Sequence, residues 1–170
     1  MERYSRMLLH FVHAMGRPHR RFEAFLFSTQ LTRITRQVRG RPLSEAVAAV
    51  SRAVPDWSGG TRIGEALRMF HQRWARVVLH RAPVVLLVSD GWDRGDPAVL
   101  RDGVARLQRS CHRLIWLNPL IGTADYAPLT RGLIAALPFV DDFLPARTLT
   151  NLGELAVHLN TLAPPARRRS

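Results

Sequence analysis

Along the first segment the apolar residues Tyr4, Met7, Leu8, Phe11, Val12 and Met15 fall three and four positions apart, which predicts an amphipathic helix over residues 2–15. Gly16 and Pro18 stop it. The stretch RFEAFLF (21–27) alternates and then runs apolar as a strand does, and LTRIT (31–35) is placed to pair with it as a hairpin. After the break at Gly40 and Pro42, Ser44 is positioned to cap a helix over 45–53, which Pro55 ends. DWSGGTRIGEALRMFHQRW then reads as a glycine-bearing turn entering a longer helix, with Ile63, Leu67, Phe70 and Trp74 along one face.

The next apolar run, in PVVLLVSDGWDRGDP (83–97), ends abruptly in Ser89, Asp90 and Gly91. Asp96 and Pro97 follow as N-cap and first residue of a helix that reaches Ser110. RLIWLN (113–118) is a second apolar strand, residues 130–137 a helix, DDFLP (141–145) a short strand, and 151–162 a last helix. Strands alternating with helices predict an α/β fold with a mostly parallel sheet, and the near-uniform apolar character of VVLLV and LIWL requires cover on both of its faces. In such open sheets ligands bind beyond the carboxyl ends of the strands, where Asp90 stands and where the turn carrying Thr61 can reach.

Composition narrows the class further. A chain of 170 residues makes one domain with a proper core. No apolar run is as long as a membrane span, and the N-terminal residues lack the order of a secretory signal, so the expected location is cytoplasmic, away from membranes. The single cysteine, Cys111, has no partner for an internal disulfide and reads as a small buried apolar residue before a strand. The formal charge of +12 points to nucleic acid or an acidic protein. All 25 basic residues are arginine, mostly scattered and without interleaved aromatics, which disfavours nucleic acid and fits a GC-rich genome.

Familiar enzymatic signatures are missing. GGTRIG lacks the Lys-Ser/Thr ending of a phosphate loop, and there is no GxSxG elbow. His10 and His13 lie one turn apart without Cys or His partners that would make a metal site. What remains is hard-oxygen chemistry: the Thr61 hydroxyl and the Asp90 carboxylate, on two loops at one sheet edge, are donors of the kind Mg²⁺ accepts. Thr61 and Asp96 are also candidates for helix caps, and Asp93 for a solvated turn residue.

The pieces WSGGTRIGEAL, VVLLVSDGWDRGDP, IWLNPL and LPFVDDFLP, in that order and spacing, resemble the CoxE-like branch of the von Willebrand factor A (VWA) domain proteins over nearly the whole chain. Four segments together are far more specific than any one of them. The resemblance implies a three-layer, doubly wound, mostly parallel sheet of VWA/Rossmann-like type, with residues 1–163 forming the domain and 164–170 a basic tail. It also implies a metal-ion-dependent adhesion site (MIDAS), built in this fold from an Asp-x-Ser-x-Ser loop after the first strand, a threonine and an aspartate. Thr61 and Asp90 match the second and third loops. The metal is normally Mg²⁺, and a partner's carboxylate can complete its coordination.

The first loop has no counterpart. In relatives that turn is followed by methionine and the first helix, which is how MERYSRMLLHF begins, and Ser5 lies a full turn into the helix. The implied chain is shortened at its N-terminus and lacks the first, central strand. Two oxygen donors are too few for a cation that takes about six, so the site is expected to be incomplete. An open strand edge would favour weak solubility or self-association.

By the same resemblance the expected function is non-enzymatic: an adaptor between a MoxR-type AAA+ ATPase and a client metalloenzyme, in the maturation of molybdenum hydroxylases such as carbon monoxide dehydrogenase. Two other classes stay open. One is an Mg²⁺-dependent phosphoryl-transfer or hydrolytic enzyme using Asp90, Asp93 and Asp96; the other is arginine-driven nucleic-acid binding.

Overall fold

The computed structural model describes residues 2–16, 22–53, 60–123, 126–127 and 130–162. In chain order the elements are α1 (Glu2–Gly16), β1 (Phe25–Phe27), β2 (Leu31–Arg33), α2 (Thr35–Val38), α3 (Leu43–Ala53), α4 (Ile63–Arg73) and α5 (Ala75–Val78). There follow β3 (Val84–Val88), α6 (Pro97–Ser110), β4 (Arg113–Asn118), α7 (Arg131–Ala136), a 3-10 turn (Leu137–Phe139), β5 (Asp142–Pro145) and α8 (Leu149–Leu162). The stop at Pro18, the turn residues up to Gly59 and the basic tail lie outside the described residues.

The three apolar runs form a parallel sheet in the order β3-β4-β5, with Val84 to Val88 opposite Arg113 to Leu117 and Ile115 to Asn118 opposite Asp142 to Pro145. Strand alternation sends successive residues to opposite faces. Leu114 and Trp116 therefore enter a core with Leu87, Ile63, Leu67, Phe70, Leu100 and Val104 from α4 and α6. Ile115 and Leu117 enter a second core with Leu152 and Leu155 of α8, against which Met7, Leu8 and Phe11 of α1 also pack. Helices cover both faces, which is the three-layer, doubly wound arrangement expected. The central strand shows it most clearly, with Leu114 through Leu117 fully buried.

The hairpin β1-β2 is antiparallel, Phe25 opposite Arg33, and forms its own two-stranded sheet. It is not hydrogen-bonded to β3, yet it shares cover with it. Phe25, Phe27 and Leu31 join the core under α4, whereas Leu26 joins Leu9 and Val12 of α1 with Val50 of α3. The apolar stripe of α1 rests partly on the hairpin cluster and partly on the strand cluster.

Some local expectations shift. Ser44 is not the cap of α3; the helix starts two residues earlier than expected, at Leu43, with the Pro42 carbonyl accepting from the Ala46 N–H at 2.9 Å. Trp74 does not extend α4, because its backbone leaves the helix (φ −124°) and the ring turns against Phe25, with the Arg33 guanidinium 5.0 Å from its centre. That turn starts α5, which the apolar pattern did not predict, as it did not predict α2. Cys111 stands before β4 but is half-buried rather than buried, and burial, with the Asp141 charge beside it, pushes its thiol up to about 11. Among the described residues no helix is long and apolar enough to cross a membrane.

Candidate functional site

At the carboxyl end of β3 the chain must turn out of the core, and side chains take up several backbone groups of the turn. The Ser89 carbonyl accepts from the Trp116 indole N–H at 3.0 Å, and the Ser89 hydroxyl accepts from the Gly91 N–H at 3.1 Å. Asn118, fully buried at the end of β4, donates from Nδ2 to the Asp90 carbonyl at 3.1 Å and to the Tyr126 hydroxyl at 2.7 Å. Gly91 takes φ +84°, and a Cβ there would meet Leu133 Cδ2 at 2.7 Å, so the tight turn needs glycine on both counts. Its carbonyl accepts from the Thr130 hydroxyl, which also caps α7 by accepting from the Leu133 N–H. Three successive residues of this loop are therefore held by β4 and α7.

The Asp90 side chain is less engaged. Its Oδ1 accepts from the Trp92 N–H at 3.1 Å, and the residue is half-buried. Burial, and then the Asp90 charge, raise the Tyr126 hydroxyl above the ordinary tyrosine range, which places the carboxylate and the phenol in one electrostatic environment. Trp92 beside it is 68% exposed, unusual for a side chain of that size.

Thr61 comes to the same edge on the loop that enters α4. Its carbonyl accepts from the Arg94 N–H at 3.0 Å, joining the two loops. Thr61 is half-buried and does not cap α4, whose N-cap position is Arg62 without a side-chain cap. The cap comes from the other loop: Asp93 Oδ1 accepts from the Ile63 N–H at 2.9 Å and from its own loop's Gly95 N–H at 3.2 Å, with Oδ2 3.5 Å from the Gly64 nitrogen. Asp93 is accordingly no solvated turn residue, because its carboxylate closes one loop onto the start of the neighbouring helix. Asp96 caps α6 as expected, accepting from the Ala98 N–H at 2.8 Å.

The acidic trio consequently divides by task. Asp93 and Asp96 are committed to backbone N–H groups of two different helices, whereas among the described residues the Asp90 carboxylate accepts only from the Trp92 N–H of its own loop. The histidine pair does not converge either: His13 Nε2 lies 2.7 Å from the Arg41 carbonyl, whereas His10 is exposed.

The profile of VWA domain containing CoxE-like proteins matches residues 1–152. The chain belongs to this family. No curated protein sequence matches it significantly. In this CoxE-like VWA domain the two loops that carry Thr61 and Asp90 meet at the carboxyl edge of the parallel sheet, the position sequence reasoning assigned to them.

The donor chemistry only partly suits Mg²⁺. Thr61 and Asp90 supply hard oxygens, but among the described residues no group of three His, Cys, Asp or Glu side chains comes together to hold a metal ion. A cation that takes about six oxygens is not fitted by that pair alone. Sequence reasoning missed Asn118, Tyr126, Thr130 and the capping role of Asp93. Asn118 carried a readable signal, since it ends the apolar run of β4 as Asp90 follows that of β3.

Proposed function

We propose that this chain is a non-catalytic VWA-type interaction module whose Thr61–Asp90 edge docks a MoxR-type AAA+ ATPase and presents a client metalloenzyme to it. The client class is a molybdenum hydroxylase of the carbon monoxide dehydrogenase kind, the location the cytoplasm. Family membership supports the protein-interaction part of this reading. The observation that carries the choice of edge is Trp92, a large ring 68% exposed on a loop whose neighbours are pinned. Exposed aromatics on rigid supports are characteristic anchors of protein interfaces.

Mg²⁺ has a subordinate place in this reading. The Thr61 hydroxyl and the Asp90 carboxylate hold it no more tightly than about millimolar, and water or a partner carboxylate supplies the remaining oxygens. A pull-down with a purified MoxR-type ATPase from the same genome, in Mg²⁺ and in EDTA, tests the edge. Trp92→Ala and Asp90→Ala are each expected to weaken capture by about tenfold or more, as truncation of an interface anchor does. Capture indifferent to both substitutions and to chelation would move the partner surface elsewhere.

A further inference from the structure

We propose that the groove along the outer face of α4, bordered by Arg62, Arg68 and Arg73 and by Thr29 of the hairpin turn, docks an acidic segment of the partner protein. This rests on the reading of the Thr61–Asp90 edge as partner-facing, and extends that surface along the helix which begins there. The groove encloses about 400 Å³. Three guanidinium groups border it against one carboxylate, Glu65, which is already paired with Arg68. Among the described residues no carboxylate lies within ion-pairing distance of Arg62 or Arg73. Two cations at opposite ends of one groove thus have no ion-pair partner among the described residues.

Geometry sets the size of the occupant. From Arg62 to Arg73 a helix advances about 16 Å, which about five residues of extended chain would span. The hairpin wall is tied to the helix start, because the Arg62 N–H donates to the Ser28 carbonyl at 3.4 Å. At the same end Arg94 lays its guanidinium against Gly60, where an added Cβ would come within 2.9 Å of it. Positive charge therefore runs from the groove to the loop that carries Asp90 and Trp92. An acidic peptide suits this lining better than a nucleic acid does. None of the bordering residues is aromatic, so unstacked bases would find no platform.

The test is fluorescence anisotropy of a labelled hexaglutamate peptide against the full chain, at low salt and in EDTA so that no metal contributes. Saturable binding is expected, weakened about fivefold or more by Arg62→Gln with Arg73→Gln, since each exposed pair contributes modestly. Removing two charges elsewhere, Arg52→Gln with Arg109→Gln, is expected to change it by less than about twofold, because screening limits distant charges. Arg62→Lys with Arg73→Lys should retain binding, and circular dichroism checks that each variant is folded. Equal weakening by both glutamine pairs, or no saturable binding, overturns the proposal. So does tighter, equally groove-dependent binding of a hexathymidylate, which would assign the groove to nucleic acid. Because the assay excludes metal and ATPase, its failure would leave the capture result of the Trp92 edge standing on its own.

Discussion

Asp93→Ala is expected to cost more stability than removal of any other single carboxylate in this region, because that side chain serves two elements at once. Its Oδ1 accepts from the Ile63 N–H at 2.9 Å, the first residue of α4, and from the Gly95 N–H at 3.2 Å within its own loop. The contact to the Gly64 nitrogen, at 3.5 Å, is too long to add much. Loss of an N-cap costs about 1 kcal/mol and up to about 2. A second bond to an ionised acceptor adds about 1 kcal/mol after overlap with the first is allowed for. The expected total is about 2–3 kcal/mol, or about 5–10 °C in melting temperature for a domain of this size. Asp96→Ala is the internal control: a single capping bond, to the Ala98 N–H at 2.8 Å, predicts about 1 kcal/mol. Asp93→Asn, which keeps an acceptor oxygen and loses the charge that favours a helix N-terminus, should fall between the two. Thermal melts at neutral pH, with urea midpoints as a second measure, decide the matter. Were Asp93→Ala no more destabilising than Asp96→Ala, the carboxylate would not be joining the loop to α4, and the two loops would owe their proximity to something else.

Gly64→Ala should destabilise by about 1–3 kcal/mol, since its Cβ would stand 2.8 Å from the Leu100 backbone nitrogen where α4 and α6 meet; a melt unchanged within error would show that the helices part at no cost. The two Arg113 hydrogen bonds, 2.6 and 2.8 Å, hold the Asp142 carboxyl below its usual range, with His158 adding to the effect. Because the folded-state value is the lower one, this contribution is complete above the unfolded value of about 3.9 and is lost as pH falls through the folded value. Asp142→Asn should therefore flatten the acid limb of unfolding free energy below about pH 4, and parallel limbs for the two proteins would contradict the assignment.

Much of the fold was legible because two periods dominate the chain. The runs VVLLV and RLIWLN could only be strands covered on both faces, and Pro97 after Asp96 marks the start of α6 by chemistry as well as by pattern. Where reading failed, tertiary contacts had overridden local signals. Trp74 keeps the spacing of the α4 stripe, yet an aromatic cluster with Phe25 and the Arg33 cation draws it out of the helix. Asp93 looked like any turn aspartate, since the helix it caps begins 30 positions earlier in the chain. No local pattern encodes such a partnership. Asn118 is the intermediate case, because a polar residue closing a buried strand announces a role and leaves its partners unnamed.

The same contacts explain why an exposed tryptophan can sit at this edge without loosening it. Loops that carry binding residues are usually mobile, and ordering them on association detracts from affinity. Here the backbone of Ser89, Asp90 and Gly91 is held by Trp116, Asn118 and Thr130, side chains rooted in β4 and at the head of α7. Asp93, beyond Trp92, is anchored to α4. The turn is thus fixed on both sides of the residue that projects, and the Asp90 carboxylate is not needed to hold it beyond one bond to the Trp92 N–H. An indole presented from such a support gives up little freedom when a partner covers it. In the proposed contact the free carboxylate oxygen, the Thr61 loop and the arginines along α4 would supply the polar rim around it, the division of labour a reversible protein contact requires.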